Sequence, residues 1–128
     1  MITLVKTVTI STGTGKFAIC LITSFTENGL VCQLFGGDRP HVGAVVLSVP
    51  RPSLRDSQRV SCNSSVLPMI NHKDDELAKP VAEKLAKHFN QPVALVAGVH
   101  LDNASPEDIN VLVNNCWLAV DQLLQSKI

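Results

Sequence analysis

The chain has no tyrosine and little other aromatic content, with four Phe and one Trp among 128 residues. A hydrophobic fraction of 45% is enough for a compact core, and with so few rings that core must be largely aliphatic. Neither sign of charge is in excess, because eleven basic and eleven acidic residues give a formal net charge of zero. A neutral surface has no general attraction for nucleic-acid phosphates or anionic membranes, so neither is an expected partner. Near-neutrality also favours self-association, which points to an oligomer. The opening "MITLVKTVTI" carries Lys6 among threonines and leads to no small-residue cleavage site, so it reads as neither signal peptide nor membrane span. Cysteine is sparse: Cys20, Cys32, Cys62 and Cys116 are far apart and never in CxxC spacing for zinc or redox work. Reduced thiols in a cytoplasmic protein are expected. With no composition break or linker, residues 1–128 are read as a single domain.

What is present is organised in two halves. In the first, short β-branched runs alternate with turn residues at hairpin spacing. "STGTGK", "TENG" and "GGDRPH" separate the runs around Val8, "FAICLITSF", "LVCQLF" and "VGAVVLSV", and Asn28-Gly29 offers the positive φ of a tight hairpin. Four antiparallel strands are the economical reading. Residues 50–73, rich in proline, arginine and serine, cannot form one long element; a short strand over 60–66 is possible. "DDELAKPVAEKLAKHF" places Leu77, Val81, Leu85 and Phe89 on one face, an amphipathic helix with acids first and Lys87 and His88 last. Pro80 removes one hydrogen bond from it. "PVALVAGV" has no polar alternation and reads as a strand buried on both faces. The last helix opens with Ser105 as cap, Pro106 at its first position and Asp108 completing an acidic capping box. Its buried face is read as Ile109, Leu112, Val113, Cys116, Trp117, Val120 and Leu124. The expected fold is α+β, a mostly antiparallel sheet of about five to six strands in the order ββββ(β)αβα, with two amphipathic helices packed on it.

Several stretches could carry chemistry. "STGTGK" lacks the spacing and the strand-to-helix setting of a phosphate loop, so it is a turn. His41 begins a strand, where an edge residue is the plainer reading and a ligand contact the sharper one. Ser64 and Ser65 precede "HKDD", where His72 and Lys73 lie before a helix N-terminus whose free N–H groups favour an anion; alternatively Asp74 simply caps that helix. Arg51, Arg55 and Arg59 could capture a phosphate with their forked guanidinium groups, against the blander reading of a solvated loop. In "GVHLDNASPED", Gly98 would admit a second backbone or a flat ligand. His100 and Asp102, two apart, would point to one side and, with Asn103, could bind a polar ring or a metal. The alternative has Asp102 or Asn103 capping the turn and His100 satisfied by a carbonyl. No Ser-His-Asp or Cys-His arrangement is visible, so turnover has no local support.

The stretches "HVGAVVLSVPRPSL", "NHKDDELAKPVAEKLA" and "VALVAGVHLDNASPEDI" together resemble the prenylated-flavin chaperones, the small D subunits that accompany gallate-type decarboxylases. That group is similar in fold to proteasome assembly chaperones. The resemblance covers roughly residues 37–125. It implies a non-enzymatic, dimeric carrier that binds reduced prenylated FMN, with a metal ion possible but unspecified. The implied partners are a UbiD-type aromatic-acid decarboxylase, to which the cofactor is delivered, and, as a secondary candidate, a flavin prenyltransferase. The implied contacts are His72, Lys73 and Asp74 in one stretch and His100, Asp102 and Asn103 in the other, with His41 a lesser addition. Arg59 and Ser65 join them as candidates from the loop and strand upstream. Two other classes stay open: an assembly chaperone without flavin, and a small His/Asp enzyme such as a tautomerase.

Overall fold

The computed structural model describes residues 5–69 and 74–126. Six strands, β1 (Lys6–Thr12), β2 (Ile19–Thr26), β3 (Gly29–Gly37), β4 (Ala44–Pro52), β5 (Val60–Pro68) and β6 (Val93–His100), form one sheet. Helix α1 spans Asp75–Phe89 and α2 spans Pro106–Gln125. Sheet order is β1-β2-β3-β6-β4-β5, with every neighbouring pair antiparallel except β3 and β6. The fold is α+β and mostly antiparallel, as the patterning predicts.

The connectivity departs from a plain four-strand meander. β3 and β4 are not neighbours; β6 lies between them, parallel to one and antiparallel to the other. The reason is chemical. "VALVAGV" has no polar face and is best satisfied at the centre of a sheet, where both edges are hydrogen-bonded and helices cover one side. Val93, Leu95 and Ala97 are fully buried. The segment 50–73 also holds more regular structure than its composition suggests, since β5 runs nine residues in continuous register with β4. At the β2–β3 turn the positive φ belongs to Gly29 alone.

Both helices cover one sheet face. α1 packs on β4, β5 and β6, and α2 on β1 and β2. Leu21, Leu30, Leu34, Val46, Leu85 and Leu123 are among the buried aliphatic side chains that fill the space between. The capping box of α2 is present in full: Ser105 Oγ accepts from Asp108 N, and Asp108 Oδ2 accepts from Ser105 N. α1 continues through Pro80, whose ring nitrogen cannot donate to the Glu76 carbonyl one turn earlier. All four cysteines are free thiols. Burial pushes Cys32 up to about 11, a hydrogen bond from Thr23 opposing, and Cys116 up to about 12, helped by the Asp74 charge. Both therefore stay protonated as core filler.

Candidate functional site

The site is assembled where the segment 38–43, joining β3 to β4, crosses the C-terminal end of β6. Gly37 enters the crossing with φ +80°, and Asp38 N donates to the His100 carbonyl at 2.7 Å. Gly43 N then donates to the Ala97 carbonyl at 2.9 Å. Between these anchors the backbone of His41 lies directly against Gly98, where a Cβ would overlap the His41 carbonyl. The glycine in "AGVH" thus admits a second backbone, and that contact carries the His41 ring to the end of β6.

Asp74 meets it there. Its backbone is helical and its side chain makes no cap hydrogen bond, so the capping alternative for this residue does not hold. The carboxylate turns inward instead, 8% exposed, accepting from Val99 N at 2.9 Å and from His41 Nε2 at 2.9 Å. The other ring nitrogen, His41 Nδ1, lies 2.8 Å from the Arg39 carbonyl. A carbonyl and a carboxylate both accept, so two N–H groups are needed and the imidazolium form is favoured. Partial burial opposes that charge, but the Arg39 carbonyl and the Asp74 carboxylate outweigh it and raise the His41 pKa above 6.5.

The His100 ring stands 6.3 Å from that of His41, at 78° to it. His100 Nε2 bonds Asp102 Oδ1 at 3.0 Å, so its partner is this carboxylate and not a backbone carbonyl. Arg39 Nε donates to Asp102 Oδ2 at 3.2 Å. The hydrogen bond from His100, against slight desolvation and with help from the Arg39 guanidinium, holds Asp102 below the usual carboxylate range. Asn103 is left-handed, φ 53°, and turns the chain toward α2.

Beside this cluster a cavity of about 680 Å³ opens between the starts of α1 and α2. Asp74, Glu76 and His100 are its ionisable lining residues. Apolar side chains line the rest, including Leu77 and Val99, with Val113 and Trp117 from α2. Ile109, expected in the buried stripe of α2, is instead 50% exposed and lines the cavity. The volume lies within the range of about 300–1,000 Å³ usual for small-molecule sites, and a mostly apolar wall with a few convergent polar groups is their usual lining.

Of the expected residues, His41, Asp74, His100 and Asp102 converge, with Asn103 in the adjoining turn. His72 and Lys73 lie outside the described residues. Arg59 is elsewhere: β4 runs antiparallel to β6, pairing Ala44 with Ala97 and Ser48 with Val93, so the 53–59 loop after β4 projects from the opposite end of the sheet. There Arg59 is largely exposed, 3.9 Å from Asp56. Ser65 pairs with Leu47 in the β4–β5 ladder and is exposed on the face away from the helices. Sequence reasoning missed Arg39, Glu76, Ile109, Val113 and Trp117 as site residues. The lone tryptophan on the inner stripe of α2 was the available signal; nothing local marks Arg39. Among the described residues, no group of three His, Cys, Asp or Glu is placed to hold a metal ion, and no helix is long and apolar enough to cross a membrane.

Three comparisons bear on this arrangement. A chain from the "Crystal Structure of a Novel Chaperone Complex for Yeast 20S Proteasome Assembly" matches with a TM-score of 0.59 and 18% identity, over 95% of this chain and 94% of that one. At that identity the likeness is one of fold. No curated protein matches the chain. The family described as "Prenylated flavin chaperone LpdD-like domain" matches residues 13–127, which include every strand junction and side chain of the cavity. The chain therefore belongs to the prenylated flavin chaperone LpdD-like family.

Proposed function

We propose that this protein is a non-enzymatic carrier that binds reduced prenylated FMN in the cytoplasm and helps deliver it to a UbiD-type aromatic-acid decarboxylase. The observation that carries this reading is the preformed, mostly apolar cavity of about 680 Å³ lined also by Asp74, Glu76 and His100, in a chain of a prenylated-flavin chaperone family. Prenylated FMN combines a flat, largely apolar ring system with a polar edge, and the lining offers a counterpart to each. His41 braces Asp74, and Asp102 orients His100. Anaerobic coexpression with a flavin prenyltransferase tests it: the purified protein should carry the absorption spectrum and mass of the prenylated cofactor. A protein that emerges empty sinks the carrier reading. Turnover on a carbonyl substrate, lost in Asp102→Asn, would replace the carrier with a His/Asp enzyme.

The carrier acts as a homodimer in this reading. The sheet face away from the helices carries Val31, Leu47, Val49 and Leu67, all substantially exposed. Among the described residues that the register puts on that face, Arg51 is the one charge. From strand spacing and rise the face measures roughly 25 by 25 Å, of the order of the ~800 Å² that each partner buries in a standard interface. A face with a single charge can meet its own copy across a two-fold axis with little like-charge repulsion. Sedimentation should give a dimer that Leu47→Glu dissociates. The same apolar face favours a second reading, an assembly chaperone without flavin; a colourless protein copurifying with a single protein partner would support it.

A further inference from the structure

Helix α1 breaks a rule that α2 keeps. The proline of α2 stands at its first position, where an N–H would have no helical acceptor in any case. In α1 the hydrogen-bond ladder has already begun, with Ala78 N donating to the Asp74 carbonyl at 2.8 Å, when Pro80 interrupts it. Proline is the least favourable residue inside a helix, and the rest of α1 is built mainly from Ala, Leu, Lys and Glu, which are among the best. The disruption falls on one atom. A helical carbonyl points along the axis toward the residue four ahead, so the Glu76 oxygen faces the Pro80 ring, which has no N–H to give and crowds it out of the ladder. Glu76, Leu77 and Pro80 all line the cavity. Residues three and four apart share a helix face, so the released carbonyl belongs to the stripe of α1 that borders the cavity.

We propose that the Glu76 carbonyl is a main-chain acceptor for the ligand of this cavity, kept open by Pro80 for a donor N–H or O–H of the bound cofactor. This rests on the carrier reading and adds a polar contact to it. Before binding, water can serve the carbonyl, since Glu76 and Pro80 are both exposed. A ligand lying against Leu77 and Pro80 displaces that water, and the lost hydrogen bond is recovered only if the ligand brings a donor of its own. Reduced prenylated FMN has two kinds, the imide N–H of its ring and the hydroxyls of its ribityl chain. Either needs an acceptor in turn, because a donor left unpaired against a mostly apolar wall has given up its water for nothing. A main-chain oxygen suits the task, being held by the helix and carrying no net charge. The contact is independent of where the phosphate lies.

The test is Pro80→Ala, which returns an N–H to the helix at an exposed position and so occupies the carbonyl. Thermal unfolding followed by circular dichroism should show the midpoint rising by about 3 °C or more, because α1 regains a bond and a better helix former. Anaerobic titration of reduced prenylated FMN should at the same time show affinity falling about fivefold to tenfold, the contribution of one hydrogen bond. A proline with a purely structural role gives no such opposition of stability and binding. Pro80→Val separates the bond from the lost ring surface: it supplies the N–H, keeps apolar bulk, and should bind as weakly as Pro80→Ala. Cofactor methylated at the imide nitrogen identifies the donor, since the wild-type advantage should vanish with it if the ring N–H makes the contact and persist if a ribityl hydroxyl does. Wild-type affinity in Pro80→Ala or in Pro80→Val would overturn the inference and leave the carrier reading standing. So would a lowered midpoint in Pro80→Ala, because the helix would then have no open carbonyl to fill. A wild type that binds no prenylated FMN would remove both.

Discussion

The two ends of the sheet handle polar residues in opposite ways. At the β4–β5 hairpin three arginines sit close in sequence, yet Arg51 bonds Asn63 at 2.8 Å and Arg59 is largely exposed near Asp56. At the other end His41, Asp74 and His100 are far apart in sequence, and a crossing segment, a helix start and a strand end bring them together beside a cavity. Spacing along the chain built a solvated loop. Chain crossing built the site.

The sharpest way to break the contrast is at the crossing itself. In Gly98→Ala the added methyl falls on the His41 carbonyl, so strand and crossing segment must separate. A loss of about 3 to 4 kcal/mol is expected in urea unfolding; a near-neutral result would mean the crossing is not tightly packed. Asp74→Ala comes next. It removes the carboxylate that accepts from both Val99 N–H and His41 Nε2 in a poorly hydrated place, costing about 2 to 3 kcal/mol, and Asp74→Asn should recover part of it. Recovery absent in the amide variant would assign the whole effect to charge.

The pH dependence is smaller. The His41 pKa is raised above its ordinary 6.5 on folding, so the folded chain holds a proton that the unfolded chain releases first. The stabilisation is present in full below that ordinary value and is lost as pH rises through the raised one. Unfolding midpoints measured from about pH 5 to about pH 8 should show this decline in the wild type. His41→Gln should flatten it and lower acidic stability by about 1 kcal/mol; an unchanged slope would place the proton elsewhere. The smallest effect belongs to the far end: Arg59→Ala should change stability by less than about 0.5 kcal/mol and leave cofactor retention untouched. A marked loss of retention would bring the hairpin back into the binding machinery.

Much of the secondary structure was legible because it is encoded locally. The four-residue apolar spacing of Leu77, Val81, Leu85 and Phe89 writes α1, and Ser105, Pro106 and Asp108 write the start of α2 down to its capping box. That His100 and Asp102 share a side was also legible from their spacing near a strand end; that they bond each other was not. Other features resisted for physical reasons. Asp74 has the composition of a helix cap, but Val99 N and His41 compete for its carboxylate, and neither is near it in sequence. Ile109 follows the inner stripe of α2 by periodicity, but the helix starts leave space there and not a neighbour.

By itself the sequence determined most of the elements, their amphipathic faces, an aliphatic core that includes reduced thiols, and the family. Those properties depend on side-chain chemistry and on spacing within a few residues. Only the tertiary structure decided that β6 separates β3 from β4, that Gly98 serves the His41 backbone, and that Arg51 and Arg59 lie at the opposite end of the sheet from His41 and His100. Those depend on which distant segments meet, and the position of β6 at the centre of the sheet settles that.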